Sequence, residues 1–286
     1  MGESSSLTNI EITIVQPDNY LHSLAFAEIM ESLAYGFQAL GYHVHLTRNH
    51  VSTDMPTVIL GANLLSAEIL SRLPSHAIIY NLEQIGEHCD WVTQEWLFAI
   101  GDKILWDYSL LNIQQWTARG HSAHYVPIGY TPRLSRMNRN GVKDIDVVFY
   151  GSLNDRRIAV LEALKKNNLT VASLTGVYGT ARDEVIARSK LALNIHFYVP
   201  NIFEIVRISY LISNHVPVLS ERNADTYISP EWEDLADWAH YDMLVPRCLD
   251  LLHSDNLEER FHYQFDTFAQ QRIEPILDRA IKETVL

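Results

Sequence analysis

Short apolar runs rich in β-branched residues alternate along the chain with longer segments of helical periodicity. The first run, IEITIV at residues 10–15, predicts a strand. The segment at 23–44 has apolar positions three and four apart, with Gly41 where a helix would end. Alternating strands and helices indicate a parallel sheet covered on both faces. The other strands predicted in the first half are TVILGA (57–62), HAIIYNLE (76–83), DKILWDYS (102–109) and AHYVPIGY (123–130).

A polar segment at residues 131–143 interrupts this alternation. It has no apolar periodicity and contains Pro132, Asn140 and Gly141, which is typical of a linker. A second series of the same kind follows directly after it. We predict strands at 145–152, 169–176, 190–197 and 216–221 and helices at 156–168, 181–189 and 201–214.

The two series predict an α/β fold class with two Rossmann-like parallel-sheet domains. The N-terminal domain is predicted at residues 1–130, the linker at 131–143 and the C-terminal domain at 144–255. The terminal segment, 256–286, is predicted to be helical and carries most of its charge on one side.

The charge balance limits the functions open to the chain. Its 22 basic and 35 acidic side chains give a formal charge of −13, which argues against nucleic-acid binding and against adhesion to an anionic membrane. No long apolar run or signal-like N-terminus is present, so we expect a cytoplasmic protein without an integral membrane segment. No metal-ligand spacing, phosphate loop or dinucleotide motif is present, so we expect neither a metal site nor a cofactor.

The stretch DVVFYGSLNDRR places polar chemistry at the end of a predicted strand, where open parallel sheets bind ligands. Gly151 allows close approach of the backbone to a ligand, and Ser152 and Asn154 offer hydrogen bonds. Arg156 and Arg157 lie at the start of the next helix, and guanidinium groups beside a helix N-terminus suit a diphosphate. The alternative interpretation is a turn glycine followed by two surface arginines.

Two further strand ends carry similar chemistry. The first has the glycine-rich sequence TGVYG, where a flat base could lie against the backbone. The second is followed by a predicted helix with an N-cap asparagine, whose free amides would point toward Arg156. A carboxylate in that helix could hold a sugar diol, although an intrahelical ion pair and a packed histidine remain alternatives. The residues proposed here are Gly176, Tyr178, His196, Asn201, Ile202, Phe203, Glu204 and Arg207.

The segments DIDVVFYGSLNDRR and ARSKLALNIHFYVPNIFEIVRISYLISNHVPVLSE resemble the donor-binding half of GT-B glycosyltransferases. The resemblance implies two domains facing a cleft, with the nucleotide sugar bound by the second domain, the acceptor by the first, and a C-terminal helix that returns to the first. It implies that Gly151 and Ser152 form the turn beside the diphosphate, that Arg156 neutralises it, and that Glu204 contacts ribose or the donor sugar. Many retaining members have two glutamates seven residues apart, whereas here the next glutamate after Glu204 is Glu221.

An inverting sugar transfer also needs a general base for the acceptor hydroxyl. Glu83 directly follows a predicted strand and is the leading candidate, followed by Asp18 and His22 in the first loop. Each of the three could instead be a helix cap or a loop hydrogen-bonding group.

The sequence therefore predicts a metal-independent glycosyltransferase that moves a sugar from a nucleotide-diphosphate donor to a hydroxyl acceptor. The acceptor could be a glycan, a small molecule, a lipid-linked compound or a protein. Two alternatives remain: a nucleotide-sugar epimerase or hydrolase of the same fold, and a catalytically silent nucleotide-binding partner protein.

Overall fold

A computed structural model describes residues 9–86, 91–197 and 202–284, and the side chain of residue 258 is not described. The chain forms two compact units. The second unit is Leu134–Gln271, and the first unit is made of the residues up to Arg133 and from Arg272 onward.

The first unit contains a six-stranded sheet in which every neighbouring pair is parallel. Its strand order is β2-β1-β3-β4-β5-β6. The elements are β1 (Asn9–Ile14), α1 (Ala27–Ala39), β2 (His43–Arg48), β3 (Thr57–Leu60), α2 (Ala67–Ser71), β4 (Ala77–Asn81), α3 (Gln94–Ile100), β5 (Ile104–Asp107), α4 (Leu110–Ala118) and β6 (His124–Tyr125).

The apolar pattern marks the central strands of this sheet correctly. Every residue of β3 and β4 is buried, as expected for strands covered on both faces. The edge strand β2 is absent from the predicted strands. Its sequence, HVHLTR, alternates histidines and other polar residues with apolar ones, and no residue in it is fully buried, so it lacks the apolar run of a central strand.

The second unit contains a five-stranded parallel sheet with the order β11-β10-β9-β7-β8. Its elements are β7 (Ile145–Tyr150), α5 (Asp155–Lys166), β8 (Val171–Leu174), α6 (Gly179–Ala187), β9 (Ser189–Asn194), α7 (Ile205–Ser213), β10 (Val218–Glu221), β11 (Asp237–Ala239), α8 (Leu244–Leu252) and α9 (Leu257–Ala269). The strands predicted in the second half correspond to β7, β8, β9 and β10, whereas β11 and α8 were not predicted.

The terminal segment consists of two helices, α9 in the second unit and α10 (Ile273–Thr284) in the first. Helix α10 packs against α1 at Gly36, where an added Cβ would lie 2.6 Å from Cδ1 of Leu277. It also packs against Gly129, where an added Cβ would lie 2.8 Å from Cα of Ile273. The close packing of α10 therefore depends on residues without side chains.

The predicted start of the helix at 201–214 is wrong, because α7 begins at Ile205 with Glu204 as its N-cap. Ile202 forms an isolated parallel bridge with Tyr227, and the Phe203 side chain is buried. Both residues therefore precede the helix and are held by contacts distant in sequence.

Candidate functional site

Three adjacent strands of the second unit carry candidate site residues at their carboxyl ends. Gly151 directly follows β7, Asn194 is the last residue of β9, and Glu221 is the last residue of β10. These strands are neighbours in the sheet and run parallel, so their ends lie at one edge. This is the edge at which open α/β sheets bind ligands.

Gly151 has a backbone conformation that favours glycine, with φ of +139°. A Cβ at this position would lie 3.0 Å from Nη2 of Arg207 and 3.5 Å from Nη1 of Arg157. The missing side chain therefore lets two guanidinium groups approach the backbone at the end of β7.

Arg207 lies on α7 and is partly exposed. Its Nη1 donates a hydrogen bond of 2.7 Å to Oδ1 of Asn194, and its guanidinium carbon lies 5.2 Å from the centre of the Tyr150 ring. The Arg207 guanidinium makes no other hydrogen bond within the described parts of the chain. Since a guanidinium has five N–H donors, Arg207 retains donors for a ligand beside Gly151.

Arg156 differs from expectation because it has a buried protein partner. Its Nη1 donates to Oε2 of Glu221 at 2.7 Å, and its Nη2 donates to Oε1 of the same carboxylate. Glu221 is fully buried, and the Arg156 guanidinium also lies 4.0 Å from the centre of the Tyr241 ring. The charge of Arg156 is therefore largely offset within the protein, which makes Arg207 the less compensated cation of the site.

The Arg157 and Asn154 side chains form hydrogen bonds with the loops that follow β7 and β9. Arg157 is buried; its Nε and Nη2 donate to the Ile195 carbonyl at 2.9 and 2.6 Å, and its Nη1 donates to the Ser152 carbonyl at 2.6 Å. Burial lowers the pKa of Arg157 to about 10, and neighbouring Arg207 adds to the shift. The Asn154 side chain caps α5 by accepting from the Arg157 amide and donates to the Phe197 carbonyl at 2.7 Å. Both side chains thus connect the loop after β7 to the loop after β9.

The Glu204 carboxylate is held by its neighbours in the ionised form. Its Oε2 accepts from Nδ2 of Asn194 at 2.7 Å and lies 3.0 Å from Nδ1 of His196, and its Oε1 lies 3.6 Å from Nη2 of Arg157. Burial alone would raise the pKa of Glu204, but His196, Arg207 and Asn194 lower it to about 2. The Glu204 side chain keeps 26% of its surface exposed, so an anionic oxygen faces the site.

His196 is completely buried beneath Glu204. Because Glu204 is ionised, Nδ1 of His196 carries the proton that it donates. The backbone N–H of His196 donates to Oε2 of Glu221 at 3.0 Å, whereas its Nε2 has no hydrogen-bond partner among the described residues. His196 therefore links the carboxylates of β10 and α7.

The proposed base-binding residues lie in the loop after β8. Gly176 has φ of +68°, and no heavy atom lies within 4 Å of a Cβ added there. Tyr178 is the N-cap residue of α6.

Asn201, the predicted N-cap asparagine, lies outside the described residues. The Phe203 ring packs 5.6 Å from Trp232 and 5.2 Å from Trp238, measured between ring centres.

Glu83 in the first unit follows β4 and is partly buried. Burial raises the pKa of its carboxyl. Its backbone carbonyl accepts from Nδ2 of Asn81 at 2.8 Å and from Nδ2 of Asn112 at 2.9 Å. Both asparagines also donate to Asp107, at 2.7 and 3.0 Å, so one buried carboxylate anchors the Glu83 loop.

Asp107, the last residue of β5, is absent from the sequence-based candidates. It also accepts from Nε1 of Trp116 at 2.9 Å and from the Ser109 amide at 2.9 Å. Burial raises the pKa of Asp107 to about 7, although these four donors oppose the shift. Like Glu221, it is an acidic residue closing a buried strand, and that position was the signal available in the sequence.

The other two base candidates lie in the loop after β1. Asp18 is exposed in a turn closed by the Tyr20 amide, which donates to the Pro17 carbonyl at 3.1 Å. His22 lies in a short 3₁₀ helix and is exposed, with its ring centre 5.4 Å from that of Tyr20. The helix expected directly after Asp18 therefore begins as a 3₁₀ turn, with α1 following at Ala27.

No helix among the described residues is both long and apolar enough to cross a membrane. No group of three or more histidine, cysteine, aspartate or glutamate side chains within 9–86, 91–197 and 202–284 could hold a metal ion.

Solved structures of proteins with two parallel sheets match nearly the whole chain. AviGT4, a glycosyltransferase involved in avilamycin A biosynthesis, matches with a TM-score of 0.60 and 12% identity over 96% of both chains. The T4 phage protein BGT, solved with its UDP-glucose substrate, matches with a TM-score of 0.61 and 13% identity over 98% of this chain and 100% of BGT. The chain has the GT-B fold.

A third GT-B structure, HepE of Anabaena in complex with UDP and glucose, has a TM-score of 0.59 at 11% identity and covers 96% of this chain and 99% of HepE. At these identities the likeness concerns the fold. It confirms the predicted α/β class with two parallel sheets.

Three uncharacterized proteins of Acanthamoeba polyphaga mimivirus are similar in sequence. The first is 29% identical over 66% of this chain, the second 30% over 46%, and the third 24% over 94%. The matched regions span only 26% and 16% of the first two relatives, but 90% of the third. No protein-family model matches the chain.

Proposed function

We propose that this protein is a glycosyltransferase that moves a sugar from a nucleotide-diphosphate donor to a hydroxyl acceptor. The observation that carries the proposal is the arrangement at the ends of β7 and β9. There a glycine with positive φ meets the Arg207 guanidinium, and an ionised Glu204 lies nearby. A cation beside open backbone suits a diphosphate, and a partly exposed carboxylate suits the hydroxyl groups of a sugar.

Arg207 is the proposed main contact to the diphosphate, with the backbone at Gly151 and Ser152 beside it. Arg156 is a secondary contact, because Glu221 holds its guanidinium. Guanidinium groups would stabilise the charge that develops on the leaving diphosphate, so an obligatory metal is not part of the proposal.

Glu204 is the proposed acceptor of hydrogen bonds from ribose or from the donor sugar. Its Oε2 is occupied by Asn194 and His196, whereas its Oε1 lies 3.6 Å from Nη2 of Arg157, beyond ordinary hydrogen-bond distance. A hydroxyl donor can therefore reach Oε1. The loop with Gly176 and Tyr178 is the proposed base-binding region.

In the proposed reaction the acceptor oxygen bonds to the anomeric carbon of the sugar, and the bond from that carbon to the diphosphate oxygen breaks. The acceptor proton passes to a general base. Glu83 is the leading candidate because burial raises the pKa of its carboxyl, which makes the carboxylate a stronger base, and Asp18 and His22 follow it.

The test is nucleotide release from UDP-, GDP- and dTDP-sugars, measured with and without mixed hydroxyl acceptors. Acceptor-dependent release with transfer of the sugar supports the proposal, and Glu83→Gln should then reduce turnover while nucleotide binding stays. Release of the nucleotide without an acceptor would favour a hydrolase. Conversion of the donor sugar into its epimer would favour an epimerase. Nucleotide binding without turnover would favour the silent partner protein.

A further inference from the structure

Glu204 and Arg207 are three residues apart at the start of α7, a spacing that usually brings opposite charges together on a helix. No ion pair within 4 Å joins them among the described contacts. Both side chains nevertheless hydrogen-bond to the same Asn194 amide, at 2.7 Å each, so the two charges are close. A third group must therefore separate the Glu204 carboxylate from the Arg207 guanidinium.

The Asn194 side chain lies between them. Its Nδ2 donates to Oε2 of Glu204 at 2.7 Å, and its Oδ1 accepts from Nη1 of Arg207 at 2.7 Å. The second hydrogen of Nδ2 goes to Oγ of Ser220 at 2.9 Å. A flipped amide would turn its NH₂ toward the guanidinium and its oxygen toward the carboxylate, so the network fixes the orientation.

The backbone position of Asn194 is also fixed, because the residue belongs to a central strand. Asn194 is fully buried at the end of β9, and its register partner on β10 is Ser220, which is also fully buried. The amide thus stands on two adjacent central strands, whereas Glu204 and Arg207 stand on a helix. Rigid elements of this kind can hold a polar group at a set position.

We propose that Asn194 is a positioning residue that prevents Glu204 and Arg207 from neutralising each other, and so keeps both charges available to a ligand. The inference rests on the proposed function, in which Arg207 meets a diphosphate and Glu204 meets hydroxyl groups. A direct ion pair would reduce the charge that each can offer.

The decisive variant is Asn194→Leu, which has similar volume and no polar atoms. In its crystal structure we expect a direct Glu204–Arg207 ion pair. In calorimetry at fixed ionic strength, we expect its affinity for inorganic pyrophosphate to fall at least 10-fold. Adding Glu204→Gln should release Arg207 and restore most of that affinity, an effect that a general loss of stability would not produce.

Asn214→Leu is the matched control, because Asn214 is also buried and hydrogen-bonded in the second unit but contacts neither charge. It should leave pyrophosphate affinity within 2-fold of the unmodified protein. If Asn194→Leu does not fold, Asn194→Asp replaces it. Its carboxylate would pair with Arg207, and affinity should again fall at least 10-fold.

Three results would overturn the inference: Glu204 and Arg207 remaining apart in the Asn194→Leu crystal structure, unchanged affinity in both Asn194 variants, or no rescue by Glu204→Gln. Failure of the unmodified protein to bind pyrophosphate or any nucleoside diphosphate would instead contradict the proposed function. The variant structure still decides whether Asn194 separates the two charges.

Discussion

Arg156 donates hydrogen bonds from both terminal nitrogens to the Glu221 carboxylate, with Nη1 2.7 Å from Oε2. Glu221 is the last residue of β10, in which every residue is buried. Asn223 and the His196 amide give Glu221 two further hydrogen bonds, at 2.8 and 3.0 Å. Only 24% of the Arg156 side chain is exposed. The pair therefore holds the β10 end of the site together, and its loss should affect folding before it affects binding.

Arg156→Ala should lower the free energy of unfolding by about 3–5 kcal/mol, because it leaves a buried carboxylate without its cation. Arg156→Met combined with Glu221→Gln removes both charges and should recover much of that loss. Urea denaturation measures both. Arg188→Ala breaks the exposed pair with Asp144 and should cost under about 1 kcal/mol. A cost for Arg156→Ala no larger than this control would contradict the account.

The pKa of Glu204 predicts a pH-dependent contribution to stability. The folded pKa of about 2 lies below the ordinary 4.5, so the contribution is fully present above 4.5 and is lost as pH falls through 2. At 1.36 kcal/mol per unit it amounts to roughly 3 kcal/mol. The difference in unfolding free energy between the unmodified protein and Glu204→Gln should therefore shrink from pH 6 to pH 3. Glu162→Gln, at an exposed helix position, should show little change, and a constant Glu204 difference would argue against an ionised carboxylate.

Gly129 should tolerate no side chain. A Cβ there would lie 2.8 Å from Cα and 3.0 Å from the amide nitrogen of Ile273, and backbone atoms cannot yield as a flexible side chain can. Gly129→Ala should destabilise the protein by about 1–3 kcal/mol in thermal or urea unfolding. Gly141→Ala meets no atom within 4 Å and should be close to neutral. Equal effects of the two substitutions would show that α10 does not pack as described.

The proposed reliance on guanidinium groups predicts that chelation has little effect. After dialysis against EDTA, the rate of sugar transfer should stay within 2-fold of the untreated rate, and added Mg²⁺ or Mn²⁺ should not raise it further. Loss of transfer on chelation, restored by one of these ions, would show that a metal stabilises the leaving diphosphate instead.

The sequence predicted which strand ends carry polar residues better than it distinguished the roles of individual residues. Gly151 and His196 were predictable because each follows an apolar run that forms a central strand. The sequence did not predict which arginine lies beside Gly151. The answer depends on Glu221, which is 65 residues from Arg156 in sequence and binds its guanidinium.

The start of α7 shows the same limitation. Asn201 looked like a helix cap, yet α7 begins only at Ile205, and Phe203 before it packs against two tryptophans distant in sequence. Asp107 lies within a predicted strand, but its hydrogen bond with Asn81 of the neighbouring strand is visible only in the structure. Local patterns predict elements, whereas partners distant in sequence decide what each polar side chain does.

The most direct test of the central claim is a calorimetric titration with UDP, GDP, dTDP, CDP and CMP. The unmodified protein should bind at least one nucleoside diphosphate. Arg207→Ala should weaken that binding by about 1.5–3 kcal/mol, the range for hydrogen bonds to charged groups, and the exposed control Arg188→Ala should leave it unchanged. Absence of binding to all five nucleotides, or equal affinity in Arg207→Ala, would contradict a diphosphate site at Gly151 and Arg207.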